Sequence, residues 1–424
     1  MEFSPEELQR RKQQREELLK RRQTEQAQFK KRLIFAGIAL AVAAVVIVAA
    51  LIVGASAGSR PESTVETSEA PQTIATEPPG DKTVIHFVAT GDLNVTDKIV
   101  QSGGTELDYT DMLADVMPLL AEADLTTVNF EGNFVGAPYG TDSTSAPSQL
   151  LNTLAQAGVD MLQLANSCSI NNGITGLSTT LSTVRAAGIE PLGAYATEAD
   201  FVASGGYTMW KVHGVCVAVV AFTKGMDNLA LPAGSERCIN LLYEDYSSKY
   251  KDVNTEGITD ILDRVNKEKP DLTIALLHWG SEYNDTRSTS QDKIRDLLLD
   301  NGVDAIVGTH PHYVQPIEYD KSAGTLVAYS LGDFLSDGER MGTEYSIILD
   351  IEITKDNITD ETSITGYSIT PTYSYQDDDG RMRVLRIEPA LFAYDSNYLD
   401  KVTPEIYADM KNAQERIKAR IKPK

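Results

Sequence analysis

Residues 305–312 read AIVGTHPH. The first three of them predict a short buried strand, and the residues that follow put two imidazoles, His310 and His312, on a turn at its end. Upstream, residues 272–277 read LTIALL and predict a second buried strand, which ends at His278. We therefore expect a sheet with histidines at the carboxyl ends of its strands.

Outward from these two strands, apolar runs alternate with segments of helical periodicity. Further strands are predicted at 84–89, 125–129, 161–165, 215–222 and 326–329, and helices at 148–157, 177–187, 258–265, 293–299 and from about 403. Strands that alternate with helices favour a largely parallel, layered α/β fold. From 345 to 388 the pattern changes to period two, and DDDG at 377–380 predicts a hairpin turn.

The composition excludes several classes of protein. The chain has 424 residues, with 38 Lys and Arg against 61 Asp and Glu, and a formal net charge of −23. Nucleic-acid binding over a broad surface needs a basic footprint, and none is visible beyond the N-terminus, so no nucleic-acid partner is expected. A hydrophobic fraction of 42% argues against disorder throughout the chain. Three cysteines, an odd number, do not form a disulfide framework.

The N-terminal part predicts a membrane anchor. Residues 1–32 form a basic tail, and residues 33–54, LIFAGIALAVAAVVIVAALIVG, carry no charge. A stretch of this length crosses a hydrocarbon core about 30 Å thick, whereas a cleaved signal peptide has a shorter apolar region and a buried core helix of a soluble domain has a polar face. Basic residues before a first span mark the cytoplasmic side. Residues 55–81, rich in Ser, Thr, Pro and Glu, predict a disordered linker.

Polar side chains follow the predicted strands at the points where the strands end. They are Asp92, Glu131, Asn166, His278 and His310, with His312 two residues further on. Ligands of open α/β sheets bind outside the carboxyl ends of the strands. Carboxylates, an amide oxygen and neutral imidazoles form a donor set suited to zinc, iron or manganese. Each residue alone is more often a hydrogen-bonded turn residue, so the predicted metal site depends on their joint placement.

The segments that carry these residues resemble a known family. They are GD at 91–92, NFEG at 129–132, AN at 165–166, HWGSE at 278–282, GTHPHYVQ at 308–315 and YSLGDF at 329–334. In this order they are similar to the motifs of the CapA family of poly-γ-glutamate capsule synthesis proteins. That family belongs to the calcineurin-like metallophosphoesterase superfamily. The resemblance spans about residues 84–335.

The resemblance implies a four-layer αββα metallophosphoesterase-like sandwich with a two-metal pocket. This domain would occupy residues 82–390, followed by a C-terminal helical extension at 391–424. By position in the motifs, Asp92 and His312 would bind one divalent ion. Asn166, His278 and His310 would bind the other, and Glu131 stands where a bridging carboxylate is expected. The ions would be manganese, iron or zinc.

The chain departs from the family pattern at Cys168. The family usually has Ala-Asn-Asn-His followed three residues later by Asp, whereas Cys168 stands at the histidine position here and Asn171 at the aspartate position. Asn94 likewise replaces a histidine of the wider superfamily. Cys168 could be a catalytic nucleophile or a small buried residue that fills the space of a lost imidazole. The second interpretation is favoured because free cysteine is usually a buried apolar residue.

Three functions are consistent with the sequence. The leading hypothesis is a CapA-like protein in the plasma membrane of a bacterium, with a cytoplasmic N-terminus and an extracytoplasmic domain. It would act in synthesis or export of poly-γ-glutamate or a related envelope polymer, with the polymer and its synthase subunits as partners. The alternatives are an active metal-dependent phosphoesterase or amide hydrolase, and a non-catalytic scaffold with a degenerate site.

Overall fold

The computed structural model describes residues 80–398 and 402–422. The predicted basic tail and membrane span lie outside these residues, as does most of the predicted linker. No helix within the described residues is both long enough and apolar enough to cross a membrane.

The described part of the chain contains strands and helices in the alternating order that the sequence predicts. The strands are β1 Lys82–Asn94, β2 Leu125–Glu131, β3 Met161–Gln163, β4 Glu190–Leu192, β5 Thr208–Val212, β6 Val215–Thr223, β7 Leu272–His278, β8 Ala305–Thr309, β9 Ile317–Asp320, β10 Thr325–Ala328, β11 Asp333–Leu335, β12 Tyr345–Asp356, β13 Thr362–Gln376 and β14 Met382–Arg386. The helices are α1 Asp97–Gln101, α2 Met117–Glu122, α3 Ser148–Gln156, α4 Gly173–Ala186, α5 Glu198–Ser204, α6 Thr255–Glu268, α7 Thr289–Asp300, α8 Ile387–Asp395 and α9 Pro404–Arg420.

These strands form two mixed sheets. The first has the order β14-β13-β12-β1-β2-β3-β4, with β11 beside the end of β1, and the second has the order β5-β6-β7-β8-β10-β9. Strands β1 to β4 run parallel, as do β6, β7, β8 and β10. Strands β12 to β14 are antiparallel, as the period-two pattern predicts, and DDDG forms the β13–β14 turn.

Side chains alternate between the two faces of each central strand. In β6, Ala218, Val220 and Phe222 pack with apolar residues of α6 and α7, while the intervening residues are equally buried on the opposite face. The first sheet packs α3 and α4 on its outer face in the same way. The inner faces approach closely at Gly193, where a Cβ would lie 2.7 Å from the carbonyl oxygen of Ala221 in β6. The architecture is thus layered α/β, with two sheets between outer helices.

Aspartates placed just before parallel strands fix the register of their neighbours. The carboxylates of Asp160, Asp271 and Asp304 accept hydrogen bonds from main-chain N–H groups of Thr126, Cys216 and Thr273, at 2.9, 2.7 and 2.8 Å. Asp124 does the same for His86 at 2.8 Å. Each bond joins the start of one strand to the main chain of the strand beside it. The carboxyl ends of neighbouring strands therefore lie at the same edge of the sheet.

Two helices form the C-terminal segment. Helix α8 starts at Ile387, directly after β14. Helix α9 matches the helix predicted from about 403, and Oγ1 of Thr403 caps it by accepting from the N–H of Ile406. Both helices pack against β13, so this segment is part of the layered fold.

Candidate metal centre

The carboxyl ends of β1, β2, β7 and β8 meet at one edge of the two sheets. In the first sheet, Asp92 lies level with Asn129 on one side and with Asp333 on the other. In the second sheet, His278 lies level with Thr309, one residue before His310. Parallel strands carry side chains from distant segments to a common edge, so the polar groups converge.

Two glycines permit this close approach. A Cβ at Gly91 would lie 1.8 Å from the carbonyl oxygen of Gly332, and a Cβ at Gly308 would lie 2.1 Å from that of Tyr329. The backbone of the turn after β8 is also constrained, with φ of 90° at His310 and 59° at His312. Non-glycine residues rarely adopt positive φ, and such residues cluster at functional sites.

A buried carboxylate group forms the first half of the site. Asn129 lies at its centre: its Nδ2 donates to Oδ1 of Asp92 at 2.5 Å and lies 3.5 Å from Oε1 of Glu131. The same Nδ2 is 3.4 Å from Nδ1 of His278. Ser167 donates to Oε2 of Glu131 at 2.7 Å. Asn129 therefore holds acidic and imidazole groups that come from both sheets.

The imidazoles of His278 and His310 form the second half. Their ring centroids are 4.5 Å apart, and both residues are buried. Nδ1 of His278 lies 3.3 Å from Oγ1 of Thr309. Among the described residues, however, Nε2 of His278 and Nδ1 of His310 have no hydrogen-bond partner. Buried polar atoms without a partner are uncommon in folded proteins, and both of these nitrogens can bind a metal ion.

His312 links the two halves through Asp333. Its Nδ1 lies 2.7 Å from Oδ1 of Asp333 and 3.7 Å from Oδ2 of Asp92. The ring of Tyr283 stacks on the imidazole with centroids 5.2 Å apart. A carboxylate that hydrogen-bonds one ring nitrogen orients the imidazole, an arrangement common around metal-binding histidines.

Burial governs the ionisation of these groups. It raises the pKa of Asp92, and with the Asp92 charge it raises the pKa of Glu131 well above its usual range. Burial also lowers the pKa of His278 and of His310 well below the usual value, so both imidazoles are neutral at pH 7. Neutral imidazoles are the form that binds metal ions.

The charge on His312 is set by its acidic neighbours. Burial alone would lower its pKa, but Asp333, Glu131 and Asp92 outweigh burial and raise the pKa to about 11. Burial raises the pKa of Asp333 to about 6, against the opposing effect of His312. In the metal-free protein, His312 is therefore the cation that balances this acidic group.

Two sets of side chains have the geometry of a metal site. In each set, one ligand atom per residue lies within 4.8 Å of the others: Asp92, Glu131 and His312 form one set, and Glu282, His310 and His312 form the other. Carboxylate oxygens with imidazole nitrogens suit zinc, manganese or iron. The donor set and the two unpartnered imidazole nitrogens fit a divalent metal.

Asn166 and Cys168 lie beside this group. Nδ2 of Asn166 donates to Oδ1 of Asn129 at 3.1 Å and to the Phe130 carbonyl at 2.7 Å, while its Oδ1 accepts from the N–H of Cys168 at 3.1 Å. Burial, together with the charges of Glu131 and Asp227, raises the pKa of the Cys168 thiol well above its usual value. The thiol is therefore protonated at pH 7, which argues against a thiolate nucleophile.

Several residues of the site were not predicted from the sequence. Asn129, Glu282 and Asp333 lie within the family motifs NFEG, HWGSE and YSLGDF. These motifs therefore carried a signal for them, although their positions relative to the predicted strands did not. Lys224 follows β6, and its Nζ lies 3.2 Å from Nε2 of His310. Burial lowers the pKa of the Lys224 ammonium, and Glu282 and Asp227 oppose that effect. A lysine after a strand carries no signal of its own.

Comparison with known families agrees with the motifs. The family model described as "Bacterial capsule synthesis protein PGA_cap" matches residues 86–338, more than half of the chain. The chain belongs to this family. Its relatives include the capsule biosynthesis protein CapA of Bacillus anthracis, 29% identical over 57% of this chain and 56% of the relative. The PGA biosynthesis protein CapA of Bacillus subtilis is 25% identical over 68% of this chain and 72% of the relative.

The chain aligns with little more than half of the length of the B. anthracis protein. Among solved structures, the calcineurin-like phosphoesterase YfkN from B. subtilis is similar at 14% identity and a TM-score of 0.43. That alignment covers 79% of this chain and 98% of the solved one.

Proposed function

We propose that this member of the PGA_cap family is an accessory protein for the synthesis or export of poly-γ-glutamate or a related anionic envelope polymer. In this proposal it binds a divalent metal at the edge where its two sheets meet. Family membership supports the first part, because the relatives are named for capsule and PGA biosynthesis. The arrangement of buried side chains supports the second.

The observation that carries the metal proposal is the pair of unpartnered nitrogens, Nε2 of His278 and Nδ1 of His310. Burying a polar group without a partner is costly. Both histidines lie beside buried carboxylates: Nδ1 of His278 is 3.9 Å from Oε1 of Glu131, and the N–H of His310 donates to Asp92. A cation there would balance charges that are expensive to bury unpaired. Manganese, iron and zinc all suit these donors.

In the metal-bound protein, Asp92, Glu131 and His312 would hold one ion, and His278 and His310 would hold the other. The expected contribution of Asn166 to the second ion remains part of this proposal. Surrounding side chains keep the donors in place: Ser167 orients Glu131, Thr309 orients His278 and Asp333 orients His312. A divalent ion would supply Lewis-acid chemistry toward an anionic oxygen of the ligand.

A metal also accounts for how so acidic a protein could bind an anionic polymer. The formal net charge of −23 opposes the approach of a polyanion. Bound divalent ions are the largest local charges in a site and reverse its local electrostatics. The carboxylates of the polymer would then bind at the metal pocket and not along the general surface.

The predicted anchor completes the proposal. Residues 33–54 would span the plasma membrane of a bacterium, with residues 1–32 in the cytoplasm and the described domain outside the cell. The uncharged apolar stretch and the basic tail before it support this topology. Protease added to intact spheroplasts should degrade the domain and spare an N-terminal tag, and the reverse pattern would contradict it.

Deletion and complementation test the function directly. Deleting the gene in the bacterium of origin should reduce γ-linked glutamate polymer, and the wild-type gene should restore it. A chain with His278→Ala and His310→Ala should not restore polymer, while one with His86→Ala and His213→Ala should, since those histidines lie at the far ends of the strands. Full restoration by the first variant would refute a role for the pocket.

Metal-dependent hydrolysis of a phosphoester or amide is the second candidate, supported by the mixed carboxylate and imidazole donors. Cys168 argues against hydrolysis, because its protonated thiol stands where an imidazole is expected as the general acid. Turnover of a generic phosphodiester by the manganese-loaded protein, with a gain in rate for Cys168→His, would favour hydrolysis. If neither the wild type nor Cys168→His turns over the phosphodiester, hydrolysis is refuted and a non-catalytic accessory role is favoured.

A further inference from the structure

Lys224 places an ammonium group against the candidate metal centre. Its Nζ donates to the carbonyl of Gly280 at 3.0 Å, lies 3.2 Å from Nε2 of His310, and sits 4.5 Å above the ring of Tyr250. Among the described residues, Lys224 forms no ion pair with a carboxylate. An ammonium has three N–H donors, and the Gly280 carbonyl and His310 account for two of them.

Arg340 places a second cation near His312. Its guanidinium lies 3.5 Å from the centroid of the Tyr283 ring, which stacks in turn on His312. Tyr283 is held firmly, because its N–H donates to the Pro311 carbonyl at 2.8 Å and its φ is +57°. Arg340 is an exposed residue and forms no ion pair among the described residues, so its guanidinium can donate to an anionic ligand.

One cation thus lies near each of the two imidazoles of His310 and His312. Lys224 contacts the first imidazole, and Arg340 reaches the second through Tyr283. If they served only to balance the acids of the pocket, each would be expected to pair with one of those acids. Glu282 and Asp227 act on Lys224 only through longer-range charge. Two cations without a carboxylate partner, beside a candidate metal centre, are better suited to an anionic ligand.

We propose that Lys224 and Arg340 determine specificity by binding separate carboxylates of one polymer chain across the metal centre. This inference rests on the proposed function. A γ-linked glutamate chain carries a carboxylate on every residue, so one chain offers a carboxylate to each cation and to the metal, whereas free glutamate has only two carboxylates. Linking several weak contacts raises the affinity for the chain far above that for the monomer.

Binding of a labelled γ-linked glutamate decamer, followed by fluorescence anisotropy, tests this assignment. The full-length protein is loaded with Mn²⁺, and free glutamate and inorganic phosphate are used as competitors. Lys224→Gln and Arg340→Gln should each weaken decamer binding by about tenfold, the scale expected for loss of a charge-assisted contact. The double variant should lose most of its preference for decamer over free glutamate, and Lys224→Arg should restore part of the Lys224 effect.

A matched control removes two positive charges elsewhere. Lys211→Gln with Arg185→Gln gives the same net charge as the double variant, at exposed positions near the opposite ends of the strands. It should bind the decamer within about twofold of wild type, since exposed charges that far away are screened. Because Arg340 is exposed, Arg340→Gln should fold normally and remains informative if Lys224→Gln does not.

The outcomes separate the two proposals. Tight decamer binding by wild type and the double variant alike overturns the roles of Lys224 and Arg340 and leaves the proposed function intact. A manganese-loaded wild type that binds no decamer overturns both. If phosphate binds in a Lys224-dependent manner and the decamer does not, the recognised group is a phosphoryl oxygen, and polymer recognition is refuted.

Discussion

The main-chain N–H of His310 donates a hydrogen bond to Oδ2 of Asp92 at 3.0 Å. Asp92 lies at the end of β1 in the first sheet, and His310 follows β8 in the second, so this bond joins the two sheets at the edge of the candidate site. Asp92 also accepts from Asn129. One carboxylate therefore fixes the relative position of both halves of the donor set.

Asp92→Asn should abolish stabilisation by metal. The amide can still accept from the His310 N–H, but it is neutral and binds a cation poorly. Adding Mn²⁺ to the wild type at about one hundred times its dissociation constant should stabilise the fold by about 2.7 kcal/mol, seen as a rise in Tm. The variant should show little rise, and Asp350→Asn, which alters the partner of His86, should respond like wild type. An equal rise in Asp92→Asn would contradict the assignment.

Gly308→Ala should destabilise the protein by about 3 kcal/mol, at the upper end of the usual cost of overpacking. Its Cβ would lie 2.1 Å from the Tyr329 carbonyl and 2.4 Å from Nε1 of Trp279, atoms that hydrogen-bond to each other. Gly366→Ala is the control, since its Cβ would meet nothing closer than 3.9 Å. Urea unfolding should separate the two variants; similar free energies of unfolding would show that the clash is relieved at little cost.

The strand ends of the site were predictable because buried strands leave a local signal. LTIALL and AIV are apolar runs that end one residue before the end of β7, at His278, and two residues before the end of β8, at Thr309. The helices that cover these strands were likewise visible as periodic segments. Short helices such as α1 and α5 were missed, because five or seven residues carry too little periodicity.

The contacts within the site could not be predicted from the sequence. The central position of Asn129 and the link from Asp333 to His312 depend on how two sheets face each other, which no local pattern encodes. Glu282 was not predicted as a metal ligand because it does not directly follow a strand. The opposite charge states of His310 and His312 arise because one ring is simply buried and the other is surrounded by carboxylates.

Asp304→Asn should change the dependence of stability on pH. Burial raises the pKa of Asp304 above its ordinary value of 3.8, so the folded protein holds this proton more tightly than the unfolded chain does. The wild type therefore loses stability, relative to the variant, as pH rises through the folded pKa. Asparagine keeps an acceptor for the Thr273 N–H. Urea unfolding at about pH 4 and pH 7 should show that the free energy of unfolding of the variant increases relative to that of the wild type as pH rises. A difference in free energy that does not change with pH would rule out this contribution.

Cys168 should react slowly with iodoacetamide at about pH 8, because the reactive species is the thiolate and the pKa of this thiol is well above its usual value. Cys216 is the internal comparison, since both residues are partly exposed and the pKa of Cys216 is raised less strongly. Mass spectrometry of the modified peptides gives the two rates. Faster modification of Cys168 than of Cys216 would instead support a thiolate nucleophile at Cys168.

The metal content of the purified full-length protein tests the central claim most directly. After loading with Mn²⁺ and removal of free ion, inductively coupled plasma mass spectrometry should find one to two manganese ions per chain. A chain with His278→Ala and His310→Ala should retain almost none, and a chain with His86→Ala and His213→Ala should match wild type. Equal manganese in all three proteins, or none in the wild type after loading with manganese, iron or zinc, would contradict the account.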